Sequence, residues 1–427
     1  MGASRAIARY AGLAHLQDPT TMRLIISFAA LFLSVLLLQL SSGGVGPLDV
    51  LSGTELGFTN GQIGLLGSAH FFGFFIGCWW APRVMGSVGH SRAFAAFIAA
   101  GAIGLLAHMM VVDPYAWSAM RAATGFCVAG CYTVIEAWLQ AKTDNANRGR
   151  TMGTYRMVDT GGSLIAQLMI GVLDPASYVS YNLLGILCIA ALLPLTLTRT
   201  PQPDTGAAPR LRPGLAWRLS PLAVAGVIVS GVSGAAFRMV GPLYGAQVGL
   251  TADQIGLFLA AYVLGGAFAQ WPAGWAADRH DRRTVLLWFS AFSIAACGIT
   301  VAFSGLGVAA IFVAALVFGA ATFPIYSISA AHAHDWAEDD QRVELSAALM
   351  FFYAIGAIAA PVGTAWLIAA YGPAALFALI ALAHVGLVVF GVIRMRLRPP
   401  AQPRGPYVWI PRTSFLVGRI FRRTGRD

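Results

Sequence analysis

The chain has 427 residues, 57% of them hydrophobic and 11% charged, with 28 Lys and Arg against 18 Asp and Glu for a formal charge of +10. Soluble domains carry about 25% charged residues, so a soluble fold is excluded. The basic excess falls in short gaps between oily runs rather than in one patch, which argues for membrane topology and against a nucleic-acid surface.

The expected fold class is an all-α membrane protein. Apolar runs occupy 24–45, 61–82, 93–112, 116–139, 151–173 and 178–198, then 221–247, 253–277, 284–304, 306–333, 342–371 and 373–396. Each is long enough to cross a hydrocarbon core of about 30 Å. The first lacks a small-residue cleavage site and is expected to stay as a spanning helix. The gaps after the odd-numbered runs hold no Lys or Arg, whereas Arg5, Arg9, Arg23, Arg83, Arg92, Lys142, Arg148, Arg150, Arg199, Arg210, Arg212, Arg218, Arg279, Arg282, Arg283 and Arg342 precede the first run or follow even-numbered ones. Both termini are therefore expected on the cytoplasmic side. The cysteines Cys78, Cys127, Cys131, Cys188 and Cys297 lie inside apolar runs without ligand spacing and read as packing residues. No metal or cofactor is expected.

The two halves echo each other. GPLDVLSGTELGFTNGQIGLL from Gly46 is matched by GPLYGAQVGLTADQIGLF from Gly241, YTVIEAW from Tyr132 aligns with YSISAAH from Tyr326, and the same offset superposes Arg148 on Arg342 and Gly162 on Gly356. The expected organisation is an N-terminal segment 1–23, a six-helix bundle 24–198, a Pro-rich basic linker 199–220, a second bundle 221–397 and a basic tail 398–427. That tail interleaves Arg with apolar residues, and reads equally as a membrane-surface segment or a disordered end.

Between the eighth and ninth runs stands GWAADRHDRR, with Gly274, Asp278, Arg279, Arg282 and Arg283. This loop, with the duplicated halves and basic linker, resembles the major facilitator superfamily. IEAW, NRGR and GHSRAF further resemble its YcaD-like bacterial branch. The first-half loop keeps Gly89 and Arg92 but has Gly86 and Ser87 where the family pattern has Asp and Arg. The resemblance implies two pseudo-symmetric bundles of six transmembrane helices, a substrate cavity near the midplane, peripheral third, sixth, ninth and twelfth helices, and alternating access. It also implies a conformational gate at these loops, with Asp278 facing the start of the fifth helix at Thr151 and Gly153, where the helix dipole favours a carboxylate.

Ionisable residues inside a membrane usually face a bundle interior or cavity. The candidates are Arg121 and Glu136 on the fourth run, Arg156 and Asp159 on the fifth, and Arg238 on the seventh. Arg121 and Glu136 are roughly 22 Å apart along one helix and cannot pair. Arg156 and Asp159 share a face, and Glu136 arrives at the same level. Two readings stand for this trio: an ion network that holds one state, or a proton-binding carboxylate. Arg238 reads as an anion contact or as a structural partner across helices. Gln39, His70, Gln167, Tyr132, Tyr262, Gln270, Tyr326 and Tyr353 are candidate neutral hydrogen-bonding groups.

Other motifs weigh less. GVSG at 231–234 matches a short protease motif but is explained by the repeat. HAHD at 332–335 puts its histidines two apart, on different helix faces. A phosphate-binding Gly-rich loop is absent from the sequence, which argues against ATP-driven transport by this chain. GGSLIAQ in the fifth run lacks the proline of many efflux carriers, weakening multidrug antiport. The expected function is secondary transport of a small solute, coupled to protons, by a monomer in the bacterial inner membrane; the alternative is a transporter-like sensor that binds without moving its ligand. No enzyme activity is expected, because no convincing nucleophile and base pair is present.

Overall fold

A computed structural model describes residues 19–143, 148–197, 210–338, 340–397 and Tyr407. Arg5, Arg9, Arg199, the 199–209 part of the expected linker and the rest of the 398–427 tail lie outside the described residues.

The helices follow the hydropathy pattern, and polar side chains start several of them. In chain order they are α1 (Pro19–Glu55), α2 (Asn60–Val88), α3 (His90–Ala107), α4 (Pro114–Lys142), α5 (Arg148–Leu168), α6 (Tyr178–Ala190), α7 (Pro221–Gln247), α8 (Ala252–Arg279), α9 (Arg282–Phe303), α10 (Val308–His334), α11 (Arg342–Tyr371) and α12 (Ala375–Leu397). Thr59 with Gln62 opens α2 through a reciprocal capping box, and Thr251 with Gln254 repeats it at α8. These are the Thr-x-x-Gln elements of the sequence repeat. Asp113 accepts from Tyr115 N at 2.9 Å and Ala116 N at 2.8 Å to cap α4.

Among the described residues eleven helices are long and apolar enough to span a membrane, and α5 is the exception. Its polarity has a structural cause. Arg156, Asp159, Thr160, Ser163 and Gln167 all line a central cavity, so the face they occupy never meets lipid. Three expected runs differ in detail. α1 continues through Pro47 to Glu55, α6 gives way at Ala191 to a short helix Leu192–Thr196, and α10 is interrupted at Phe323 before Pro324. Within the linker, a helix Pro213–Leu219 buries Leu215 and Ala216, and its neighbour Arg212 reaches Glu344 of α11 at 2.9 Å.

Packing repeats between halves as well. α2 crosses α4 so closely that a β-carbon at Gly73 would fall 1.8 Å from Ala122 O, and one at Gly125 would fall 2.1 Å from His70 O. α8 crosses α10 the same way, with Gly265 against Leu316 O at 1.9 Å and Gly319 against Tyr262 O at 2.0 Å. Small residues let backbones meet where lipid supplies no hydrophobic drive between helices. Around this core the outer surface is apolar. Trp79, Trp80, Trp271, Trp275 and Trp288 are exposed toward the Arg-rich loop ends, with Arg83 over Trp79 and Arg279 over Trp275 at 4.9 and 4.4 Å. Such a band suits a membrane–water boundary.

Candidate functional site

Helices α1, α2, α4, α5, α7, α8, α10 and α11 enclose a cavity of about 170 Å³, to which the expected peripheral helices α3, α6, α9 and α12 contribute no lining residue. Nine of the sequence-derived candidates line it: Gln39, His70, Tyr132, Arg156, Asp159, Gln167, Arg238, Tyr262 and Tyr353. Tyr326 instead sits behind Tyr353, ring to ring at 5.5 Å.

Arg156 organises one wall. Its Nη1 lies 3.3 Å from Asp159 Oδ2, one helical turn on, and its Nη2 lies 3.7 Å from Glu136 Oε1 on α4. Tyr132 donates to Asp159 at 3.0 Å and Tyr155 donates to Glu136 at 3.0 Å. Glu136 is fully buried behind the wall, whereas Asp159 is half-buried and meets the cavity. Two carboxylates thus share one guanidinium. Gln167 donates to Gly43 O at 3.2 Å, fixing α5 against α1, and Gln39 accepts from Ser42 at 3.3 Å. Opposite, Arg238 projects from α7 into the cavity, exposed, and among the described residues it makes neither a hydrogen bond nor an ion pair.

Arg121 belongs elsewhere. It is 2% exposed, with Nε 3.0 Å from Asp49 Oδ2 on α1. Tyr181 donates to the other Asp49 oxygen at 2.9 Å, and His108 Nε2 stands 3.7 Å from it. Sequence reading missed Asp49, because GPLDVLSGTE looked like loop beyond the first run. Its signal was Arg121 itself, since a cation so deep in apolar sequence demands an anion nearby.

The halves meet at the Arg-poor end. A β-carbon on Gly64 of α2 would be 2.6 Å from Ala365 Cβ of α11, Val362 N donates to Ser68 Oγ at 3.2 Å, and Gly256 of α8 abuts Gln167 O. At the Arg-rich end the space beside Gly153 of α5 is open. In this arrangement the contacts of Asp278 are made away from Thr151 and Gly153. Its Oδ1 accepts from Tyr407 N at 2.7 Å, while Arg282 Nη2 stays at 3.7 Å. Tyr407 also donates from its hydroxyl to Gln270 at 2.9 Å, and burial lifts its phenol above the ordinary range, keeping it a neutral donor. The other signature residues are held locally. Arg282 pairs with Asp335 at 2.6 Å and donates to Ala331 O at 3.0 Å, Arg283 pairs with Asp281 at 2.6 Å, and Arg279 is exposed. Asp335 was hidden in the HAHD stretch. In the first-half loop, Arg92 is exposed and Gly86 has nothing within 4 Å, while Gly89 ends α2. No group able to hold a metal ion occurs among the described residues.

This architecture is matched by known proteins. The profile of the Major Facilitator Superfamily matches residues 31–247 and 222–425. The chain belongs to that superfamily. It is a multi-pass membrane protein of the MFS transporter type, with the superfamily's fold. An uncharacterized MFS-type transporter of Enterobacter sp. (strain 638) is 31% identical over 350 residues, covering 81% of this chain and 88% of that protein. The uncharacterized MFS-type transporter YcaD of Salmonella arizonae is 29% identical over 391 residues, covering 89% and 97%. Among solved structures, the nucleoside transporter NupG superposes with a TM-score of 0.73 at 14% identity, covering 86% of this chain and 99% of that one. The fucose:proton symporter FucP gives 0.54 at 17% identity, covering 87% and 99%.

Proposed function

We propose that this MFS protein is a secondary active transporter that moves a small solute by alternating access, driven by protons. The observation that carries the reading is the cavity itself. It lies between helices of both halves, is lined by ionisable groups, and the halves touch closely at the Arg-poor end. With the Arg-rich ends cytoplasmic, the described arrangement is open inward, in the inner membrane of a bacterial cell. The shared guanidinium supports proton coupling: Arg156 neutralises one of the carboxylates Asp159 and Glu136, and a proton can neutralise the other. Asp159 is the entry point because it meets the cavity. FucP, a fucose:proton symporter by name, is a neighbour in fold that carries such coupling.

Purified protein in liposomes, given a solute selected by its stabilisation of the protein, should accumulate it only under an imposed pH gradient. Asp159→Asn and Glu136→Gln should abolish accumulation while sparing exchange. Equilibration that ignores the gradient would reject coupling, and unchanged accumulation in both variants would remove these carboxylates as the proton site.

A further inference from the structure

The charged groups among these helices come in compensated sets, with one exception. Asp49 is matched by Arg121, and Glu136 and Asp159 by Arg156. Arg238 alone, among the described residues at this depth, presents a guanidinium to the cavity with no carboxylate in ion-pair reach. Placing a cation there is costly, and such groups persist where they pair or line a substrate path. A guanidinium offers a planar fork of donors matched to carboxylate or phosphate oxygens.

From this, resting on the transport reading above, we infer that the substrate is a small organic anion whose carboxylate or phosphate end binds Arg238. The rest of the lining describes the remainder of the molecule. Gln39 and Gln167 lie on the opposite helices α1 and α5 and offer amide groups, and Phe71, Phe74, Tyr262 and Phe323 add aromatic surface. A solute with one anionic end, a hydrogen-bonding group and an apolar or ring portion fits that distribution. An inorganic ion would leave the aromatic wall unused. Size sets a further limit. Drug-sized ligands occupy pockets of roughly 300–1,000 Å³, whereas this cavity is about 170 Å³, which favours a single-ring or shorter solute. His70 lines the same cavity.

The test uses the full-length protein in detergent and matched probes: benzoate with benzamide, lactate with lactamide, and glycerol 3-phosphate with glycerol. At saturating concentration an anion of the fitting class should raise the melting temperature by a few degrees while its neutral counterpart does not, and the carboxylate and phosphate arms identify the head group. Arg238→Gln should melt as the unliganded wild type does, because Arg238 has no partner to lose, yet no longer respond. Arg238→Lys should keep part of the response. The inference falls if no anion outperforms its neutral partner, or if an anion stabilises Arg238→Gln as much as wild type. Liposome uptake separates this from the transport reading. An anion that binds through Arg238 but is never moved refutes transport and leaves the anion site standing. A neutral solute moved equally by wild type and Arg238→Gln upholds transport and overturns the anion site.

Discussion

Replacing Arg121 with Gln should destabilise the first half as much as deleting a large buried side chain there. Arg121 Nε lies 3.0 Å from Asp49 Oδ2, both side chains are 2% exposed, and the contact is off the hydrogen-bond direction, so charge rather than a directed bond holds it. At an effective dielectric of about 20, two unit charges at that distance attract by roughly 5 kcal/mol. Removing one partner leaves a buried uncompensated carboxylate and costs about 3–5 kcal/mol. Spread over 427 residues at ~2.1 cal/mol/K each, that lowers the melting temperature by about 3–6 °C. Asp49→Asn should cost a similar amount by stranding Arg121. The double variant Asp49→Asn with Arg121→Gln has no charge to strand, and should recover to within about 2 kcal/mol of wild type. The assay is thermal unfolding of the four proteins in one detergent. A double variant as unstable as the sum of the singles would refute the argument, because it would mean the two groups are energetically independent.

Other consequences are equally direct. Gly73→Ala and Gly265→Ala should each force a crossing apart at a cost of about 3 kcal/mol or more, read as loss of monodisperse protein on gel filtration; normal yields from both would discount the crossings. Asp281 experiences burial, which raises its affinity for protons, but hydrogen bonds from the Arg283 guanidinium and N–H overcome this and hold its carboxyl below the usual range. Its stabilisation is complete above the unfolded value of about 3.9 and fades as pH falls through the lower folded one. Asp281→Asn should therefore cost up to about 1 kcal/mol at pH 7 and progressively less as pH falls below about 3.9, by melting across that range. Tyr407→Ala should raise labelling of a cysteine placed at Asp278 relative to the same cysteine with Tyr407 intact; equal labelling would mean the tail does not cover that site.

Legibility in the sequence followed where the controlling forces were local. Long apolar runs and Thr-x-x-Gln caps mark helices whatever packs against them, and the Arg156–Asp159 pair is a property of one helix face. Glu136 joined them because helical rise alone puts it at the same depth. Asp49 was lost for the opposite reason. Gly43, Gly44, Gly46 and Pro47 read as punctuation, yet α1 runs through them because neighbouring helices satisfy the backbone in place of water. Asp335 was lost likewise, since only the fold brings it 53 positions along the chain to Arg282. The closure at Gly64 and the opening at Gly153 belong to one arrangement of the halves, and no single helix encodes that.

The signature loop bears on the same point. Its cations are satisfied within the second half, by Asp335, by Asp281 and by the Trp275 ring. Asp278 differs, because its side chain is 47% exposed and its strongest contact comes from a residue 129 positions away, Tyr407. The ring of Tyr407 lies so close to α8 that a β-carbon on Gly274 would come within 2.8 Å of it. Gly274 therefore leaves room for the Tyr407 ring against α8. The first-half loop offers Ser87, whose hydroxyl is spent on Val84 O at 2.9 Å, and no carboxylate. If closing the Arg-rich end brings the start of α5 to Asp278, where a helix N-terminus would favour the charge, Tyr407 N must release it first. Both donors compete for one carboxylate, so Tyr407 weighs against closure by the strength of its own hold on α8.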